Sequence, residues 1–197
     1  MFRLFALAAF VGCLSISAYY RRRARLEGQT IARRREIPLL VAGRAVVALP
    51  LFGAILAYLV NPRWMAWAEL PLPTWMRWLG VALGMLSVPT ARWVFVSLGR
   101  NVSETVLTKS QHDLVTTGPY RWIRHPLYTT GITLILAIGL MAANWFIILF
   151  ALSALAAIRF VVIPLEEQQL LATFGDEYRE YMRSTGRLWP RVLDAGL

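Results

Sequence analysis

Apolar residues run along this chain in long, nearly unbroken stretches, the pattern of helices whose whole surface meets hydrocarbon or other helices. Five such stretches stand out: 2–20, 37–60 with Arg44 and Pro50 inside it, 76–98 with Arg92 and a kink predicted at Pro89, 126–142, and 145–163. A helix needs about 20 apolar residues to cross a bilayer core, so each is predicted to span. The fourth and fifth are joined only through Ala143 and Asn144, which predicts a tight antiparallel hairpin. At 1.5 Å per residue the fourth covers roughly 25 Å, so it is expected to begin at the membrane interface. Beyond the fifth, Leu171, Phe174, Tyr178, Tyr181 and Met182 recur at helical spacing with charges on the other faces, predicting an amphipathic helix over 165–184, interrupted near Gly175 and resting on the bundle. The expected fold is an all-α, polytopic integral membrane protein with about five transmembrane helices, a terminal helical hairpin and a cytoplasmic amphipathic C-terminal helix. Residues 1–197 form one membrane domain in this reading.

Composition agrees: 57% of the 197 residues are hydrophobic and 16% charged, which excludes an ordinary soluble domain. One cysteine, Cys13, and two histidines, His112 and His125, leave no disulfide framework and no recognisable metal set, so no metal is expected. The net charge of +10 raises a nucleic-acid partner, but its distribution argues for membrane lipids instead. Seven arginines (Arg21, Arg22, Arg23, Arg25, Arg33, Arg34, Arg35) crowd one segment between two spans without interleaved aromatics for base stacking. Two arginines lie in 61–78, four cationic residues in 99–125, and four arginines after 164. By the positive-inside rule the N-terminus is outside, while the 21–36 loop, 99–125 and the tail are cytoplasmic. Trp64, Trp67, Trp75 and Trp78 then suit an outer aromatic belt. The first stretch also has a signal-peptide alternative, with Arg3 ahead of an apolar core and Val11-Gly12-Cys13 after it, but a cleaved signal leaves the arginine run unexplained.

The remaining polar residues gather in 99–128 and 159–191, on either side of the terminal hairpin. Antiparallel helices return His125 and Glu166 to the same membrane face although about forty residues separate them. Gly118-Pro119-Tyr120 reads as a turn, and Pro126 opens the fourth helix with His125 extended just before it. Unpaired amides there favour an anionic ligand group such as the carboxylate of an amino-acid-like cofactor. An amphipathic interface segment over 120–125 explains the same residues equally well. Glu166 and Glu167, after Pro164, read either as a solvated helix start or as ligands for a cationic or hydroxyl-rich molecule. Arg92 and Arg159, inside spans, require a partner, a cavity or snorkelling.

Three spaced motifs then carry a resemblance: His112-Asp113-Leu114-Val115-Thr116-Thr117-Gly118-Pro119-Tyr120; Arg124-His125-Pro126-Leu127-Tyr128; and Glu166-Glu167 with Phe174-Gly175-Asp176-Glu177-Tyr178-Arg179-Glu180-Tyr181. Together they resemble the isoprenylcysteine carboxyl methyltransferase family of integral-membrane, S-adenosylmethionine-dependent enzymes, itself similar to membrane phospholipid N-methyltransferases. The resemblance covers about 99–191 and divides the chain into N-terminal spans with the arginine-rich loop (1–98) and a cofactor-binding catalytic half (99–197). It implies that S-adenosylmethionine is held by His112, Asp113, Leu114, Val115, Tyr120, His125, Pro126, Leu127, Tyr128 and Glu166, with Thr105 at a further contact position. One departure stands out. Relatives acting on a prenylcysteine carboxylate can carry arginine four residues before the first glutamate of the pair, where this chain has Val162; Arg159 is the candidate substitute.

The implied function is methyl transfer from S-adenosylmethionine to a lipophilic small-molecule or lipid acceptor, with the carboxylate of a prenylcysteine-like compound as one candidate and N-methylation of a phospholipid or amine as the alternative. Such a displacement needs alignment and dryness more than a dedicated nucleophile. Arg159 and Arg187 are expected to orient the acceptor. A membrane reductase lacks its expected G-x-G-x-x-G fingerprint here, and a non-catalytic scaffold leaves the three motifs unexplained.

Overall fold

The computed structural model describes residues 1–26, 38–99 and 114–191, and every regular element among them is helical. In chain order these are α1 (Phe2–Leu26), α2 (Pro38–Val60), a short 3-10 helix (Pro62–Ala68), α3 (Thr74–Leu98), a 3-10 turn (Gly118–Arg121), α4 (Pro126–Ala142), α5 (Trp145–Ala157), a π-helical turn (Ile158–Val162), α6 (Ile163–Phe174) and α7 (Asp176–Ser184). Three helical runs are long and apolar enough to cross a membrane, Phe2–Leu26, Thr74–Leu98 and Trp145–Phe174; Ala45–Val60 and Pro126–Ala142 are shorter apolar helices. This is an integral membrane protein in its architecture, and its five apolar helical runs coincide with the five apolar stretches of the sequence.

Small residues bring the helices together. In hydrocarbon an apolar surface gains nothing by leaving its solvent, so helices associate where their backbones can approach closely. α3 and α4 meet that way: a Cβ on Gly80 would fall 2.8 Å from the Ala137 carbonyl oxygen, and one on Gly84 would fall 3.0 Å from the Met141 methyl group. Ala6, Ala9 and Phe10 of α1 join Ala137, Ile138 and Met141 of α4 in the same buried cluster. Large apolar side chains such as Leu14, Leu49, Leu86 and Leu149 point outward instead, as lipid-facing residues should.

The α4–α5 hairpin forms as its spacing predicts. Ala143 takes the left-handed conformation (φ 50°) that ends α4. Asn144 caps α5, its Oδ1 accepting from Ile147 N (3.0 Å) and its Nδ2 donating to the Met65 carbonyl (3.1 Å). Arg77 donates through Nε (3.1 Å) and Nη2 (2.9 Å) to the Met141 carbonyl, satisfying an end that α4 leaves open. Arg92 is exposed on α3, close to its C-terminal end, the arrangement of a snorkelling side chain.

The end of the fifth span differs from expectation. Instead of stopping near 163 and restarting as a separate amphipathic helix over 165–184, the helix continues through Pro164 to Phe174 and breaks only at Gly175 (φ 55°). Proline ordinarily breaks a helix because it lacks an N–H and its ring collides with the carbonyl four residues back. Here the π turn lies immediately ahead of it, with Ile163 N–H bonded to the Ile158 carbonyl, and the widened turn takes up the strain.

The Gly80 contact gives a direct test. Gly80→Val should lower stability by roughly 1–3 kcal/mol through overpacking against α4, whereas Gly53→Ala, which has nothing within 4 Å, should be neutral or slightly stabilising; thermal melting in detergent distinguishes the two.

Candidate functional site

Two connecting segments meet at the entry of α4. The 3-10 turn at Gly118–Arg121 lies against α3 so closely that a Cβ at Gly118 would sit 2.2 Å from Ser97 Oγ, and its φ of 61° also calls for glycine. Trp122 packs edge-on against Trp93 of α3 (5.8 Å between ring centroids). The chain after α7 then runs beside this segment: Arg124 N donates to the Gly186 carbonyl (2.8 Å), His125 N to the Arg187 carbonyl (3.0 Å) and Gly186 N to the Trp122 carbonyl (3.2 Å). Thr129 Oγ1 adds a bond to the Leu188 carbonyl (2.8 Å).

A charged cluster lies beneath these backbone ties. Glu167, 3% exposed, is paired with Arg124 Nε (2.9 Å) and Arg187 Nη2 (2.9 Å). Arg124 uses its Nη1 to reach the Met182 carbonyl (3.2 Å) and the Thr185 carbonyl, so one guanidinium joins the α4 entry, α6 and the end of α7. The buried imidazole of His125 lies between the paired glutamates, Nδ1 3.5 Å from Glu166 Oε2 and Nε2 3.6 Å from Glu167 Oε1. Its ring stacks with Tyr128 (5.8 Å between centroids, 28° between planes). Tyr181 closes the far wall by donating from its hydroxyl to the Tyr120 carbonyl (2.6 Å).

Burial alone would push the His125 pKa down; the flanking Glu166 and Glu167 carboxylates more than reverse that, leaving it above its ordinary value of 6.5. Burial raises the Tyr120 phenol, with Tyr181 and Glu166 adding to the shift. Among the described residues three buried side-chain polar atoms make no hydrogen bond: His125 Nε2, Glu166 Oε2 and Tyr178 Oη. Buried groups of this kind are ordinarily satisfied.

Of the residues singled out from sequence, His125, Tyr128 and Glu166 are brought together, Tyr120 and Pro126 are buried around them, and Leu127 is half-buried on the first turn of α4. Leu114 and Val115 are half-buried on the approach to the 3-10 turn. Thr105, His112 and Asp113 lie outside the described residues. Arg187 reaches the cluster through Glu167. Arg159 stands on the π turn with its guanidinium carbon 5.7 Å from the ring of its exposed neighbour Phe160, and the described residues place no carboxylate within ion-pair range of it. The pattern reading missed the central parts played by Glu167 and Arg124. The signal was an arginine directly before His125 and a second carboxylate directly after Glu166, whose helical directions only the structure resolves. Among the described residues no group of three or more His, Cys, Asp or Glu is arranged to hold a metal ion.

A family model described as the isoprenylcysteine carboxyl methyltransferase family matches residues 79–172. The cobalt-zinc-cadmium resistance protein CzcN of Cupriavidus metallidurans is 34% identical over 121 residues, 60% of this chain and 53% of that protein. The methanethiol S-methyltransferase of Mycobacterium tuberculosis is 39% identical over 71 residues, 36% of this chain and 28% of that protein. The chain thus spans about half the length of the first of these curated relatives and less of the second. A solved structure of the eukaryotic intramembrane Ras methyltransferase, isoprenylcysteine carboxyl methyltransferase, matches with a TM-score of 0.55 over 94% of this chain and 67% of that one. At 20% identity that likeness concerns the fold.

Two outcomes follow from the cluster. Glu167→Gln should destabilise the protein by roughly 3 kcal/mol, because it leaves the buried Arg124 charge without its counter-ion. The raised His125 pKa means that the stability contributed by the protonated imidazole is fully present below pH 6.5 and is lost as pH rises through the higher folded value. Melting temperature should therefore fall across that window in the wild type and lose this slope in His125→Gln; a wild-type melting temperature that rises there would contradict the arrangement.

Proposed function

We propose that this chain, which a model of the isoprenylcysteine carboxyl methyltransferase family matches over residues 79–172, is an S-adenosylmethionine-dependent membrane methyltransferase of that kind acting on a lipophilic acceptor. The observation that carries this is the meeting of His125, Glu166 and Glu167 at the end of an apolar bundle, with unmatched donor and acceptor atoms among them. That set suits a small molecule bearing both an ammonium and a carboxylate, as S-adenosylmethionine does. Glu166 Oε2 accepts no hydrogen bond and suits the ammonium.

When bound, S-adenosylmethionine supplies a methyl group on a sulfonium centre, electrophilic enough to be displaced in line by an acceptor lone pair. The chain's part is binding, orientation and exclusion of water. His125, Pro126, Leu127, Tyr128, Tyr120, Leu114, Val115 and Glu166 form the proposed cofactor wall, with Thr105, His112 and Asp113 assigned to it by motif. The Arg124–Glu167–Arg187 group fixes the imidazole and the strand-like tail beside it. Arg159, over Phe160 on the lipid-facing π turn, is proposed to orient an anionic acceptor group, and Arg187 to act through its pair with Glu167.

The proposed topology is a single membrane domain of five spans, with the N-terminus outside and the site at the cytoplasmic face, as the arginine distribution favours. Cofactor then arrives from water and acceptor from the bilayer. A carboxylate acceptor needs no general base, whereas an amine must lose its proton first. Relatives named as acting on a prenylcysteine carboxylate and on a small thiol make both worth testing beside lipid amines.

Calorimetric titration of the detergent-purified protein with S-adenosylhomocysteine should show saturable binding that His125→Ala abolishes and Glu166→Gln weakens. No binding by folded wild type would overturn the proposal. Arg159→Met should lower turnover with a prenylated thiol acid more than it lowers cofactor affinity; full turnover in that variant would remove Arg159 from acceptor orientation.

A further inference from the structure

Tyr178 is 1% exposed, yet its hydroxyl has no hydrogen-bond partner. It lies on the one face of α7 that is turned inward. Tyr181, three residues on and therefore on the same face, has its ring 5.9 Å from that of Tyr178 and donates to the Tyr120 carbonyl. The next residue, Met182, gives its carbonyl to Arg124. The opposite face, with Arg179, Glu180 and Arg183, is exposed. Both anchors hold the inward face of α7, which carries Tyr178, against the α4 entry. The charges that act on its phenol agree with that placement: after burial, which raises its pKa most, come Glu167 and then Arg124, with Glu166 also contributing.

A buried phenol has one hydrogen to donate, and leaving it unmatched is unfavourable. Retaining a hydroxyl where phenylalanine would fill the same space points to a partner that arrives with a ligand. The other unmatched atoms define that partner. Glu166 Oε2, within ion-pair range of His125 Nδ1 but accepting no hydrogen bond, is an acceptor suited to an ammonium, while Tyr178 Oη can donate to a carboxylate. An acceptor and a donor of this kind are the complement of an α-amino acid zwitterion.

We propose that Tyr178 is a further cofactor-binding residue, its hydroxyl donating to the carboxylate of the amino-acid end of S-adenosylmethionine. This rests on the reading of the site as an S-adenosylmethionine site. α7 is then part of the binding wall as well as a cover on the bundle.

The test compares wild type with Tyr178→Phe in two measurements. Thermal melting without ligand should be unchanged or higher in the variant, since only an unmatched polar group is lost. Calorimetric affinity for S-adenosylhomocysteine should fall roughly tenfold, the value of one hydrogen bond to a charged group. Affinity for methylthioadenosine, which keeps the nucleoside and lacks the amino-acid end, should not change. Unchanged S-adenosylhomocysteine affinity overturns the proposal, and so does an equal loss for both ligands, which would put the hydroxyl on the nucleoside. A lower melting temperature without ligand also overturns it, because the hydroxyl would then have a structural partner. Failure of wild type to bind S-adenosylhomocysteine would reject the site reading itself, and is distinct from binding that Tyr178→Phe leaves intact.

Discussion

Glu167 is buried on a helix whose preceding turns are almost wholly apolar, and its charge is tolerable there because Arg124 and Arg187 reach it from two other segments. Removing a carboxylate from water is unfavourable by several kcal/mol unless counter-charge and hydrogen bonds replace the lost hydration. That requirement fixes the end of the bundle. Arg124 must project inward from the α4 entry, which sets His125 beside it; Arg187 must come back from beyond α7, which lays the tail along residues 122–125. Arg124 also binds the Met182 and Thr185 carbonyls, so α7 is held by the same guanidinium. One buried carboxylate thereby determines where three otherwise separate pieces of chain lie.

The helix from Trp145 to Phe174 serves two environments, and the π turn is where they meet. Ahead of it the side chains are those of a lipid-facing helix; after it come Glu166 and Glu167. Successive residues on an α-helix point about 100° apart, so adjacent glutamates cannot address the same partner. Glu166 approaches Nδ1 of His125, while Glu167 approaches Nε2 and carries the two arginines. The imidazole is consequently gripped from both edges, and the carboxylate without an arginine is the one with an unmatched oxygen. Adjacent identical residues thus differ in their partners: Glu167 carries the two arginines, and Glu166 faces the imidazole alone.

The parts of this arrangement that were legible from sequence are those imposed by the solvent. Hydrocarbon demands contiguous apolar helices, so the five stretches and the hairpin at Ala143–Asn144 could be read directly. The convergence of His125 and Glu166 followed from antiparallel geometry alone. What escaped the pattern depends on contacts between distant residues. Pro164 looks like a boundary until the π turn ahead of it is seen, and Gly118 looks like an ordinary turn glycine until Ser97 is found against it. Glu167 was indistinguishable from Glu166 because a doublet does not state which member faces which partner. Tyr178 looked like one more apolar position on an amphipathic helix, since periodicity records that a ring is buried and not whether its hydroxyl is matched.

A methyl transfer between a polar donor and a lipophilic acceptor needs a place where two solvents meet without mixing. The structure supplies the elements for such a boundary in one helix. Phe160, 74% exposed on the π turn, belongs to the lipid side, while Glu167, seven residues later, belongs to a sealed ionic cluster. Arg159 lies at that change of character, its guanidinium beside an aromatic ring and away from the glutamates. An arginine so placed has its stem in apolar surroundings and its charge at their edge, where an anionic head on a lipophilic tail would be met before any water-soluble competitor. In the proposed function, selection of the acceptor by solubility and alignment of the cofactor by the His125 cluster are separate tasks of adjoining turns.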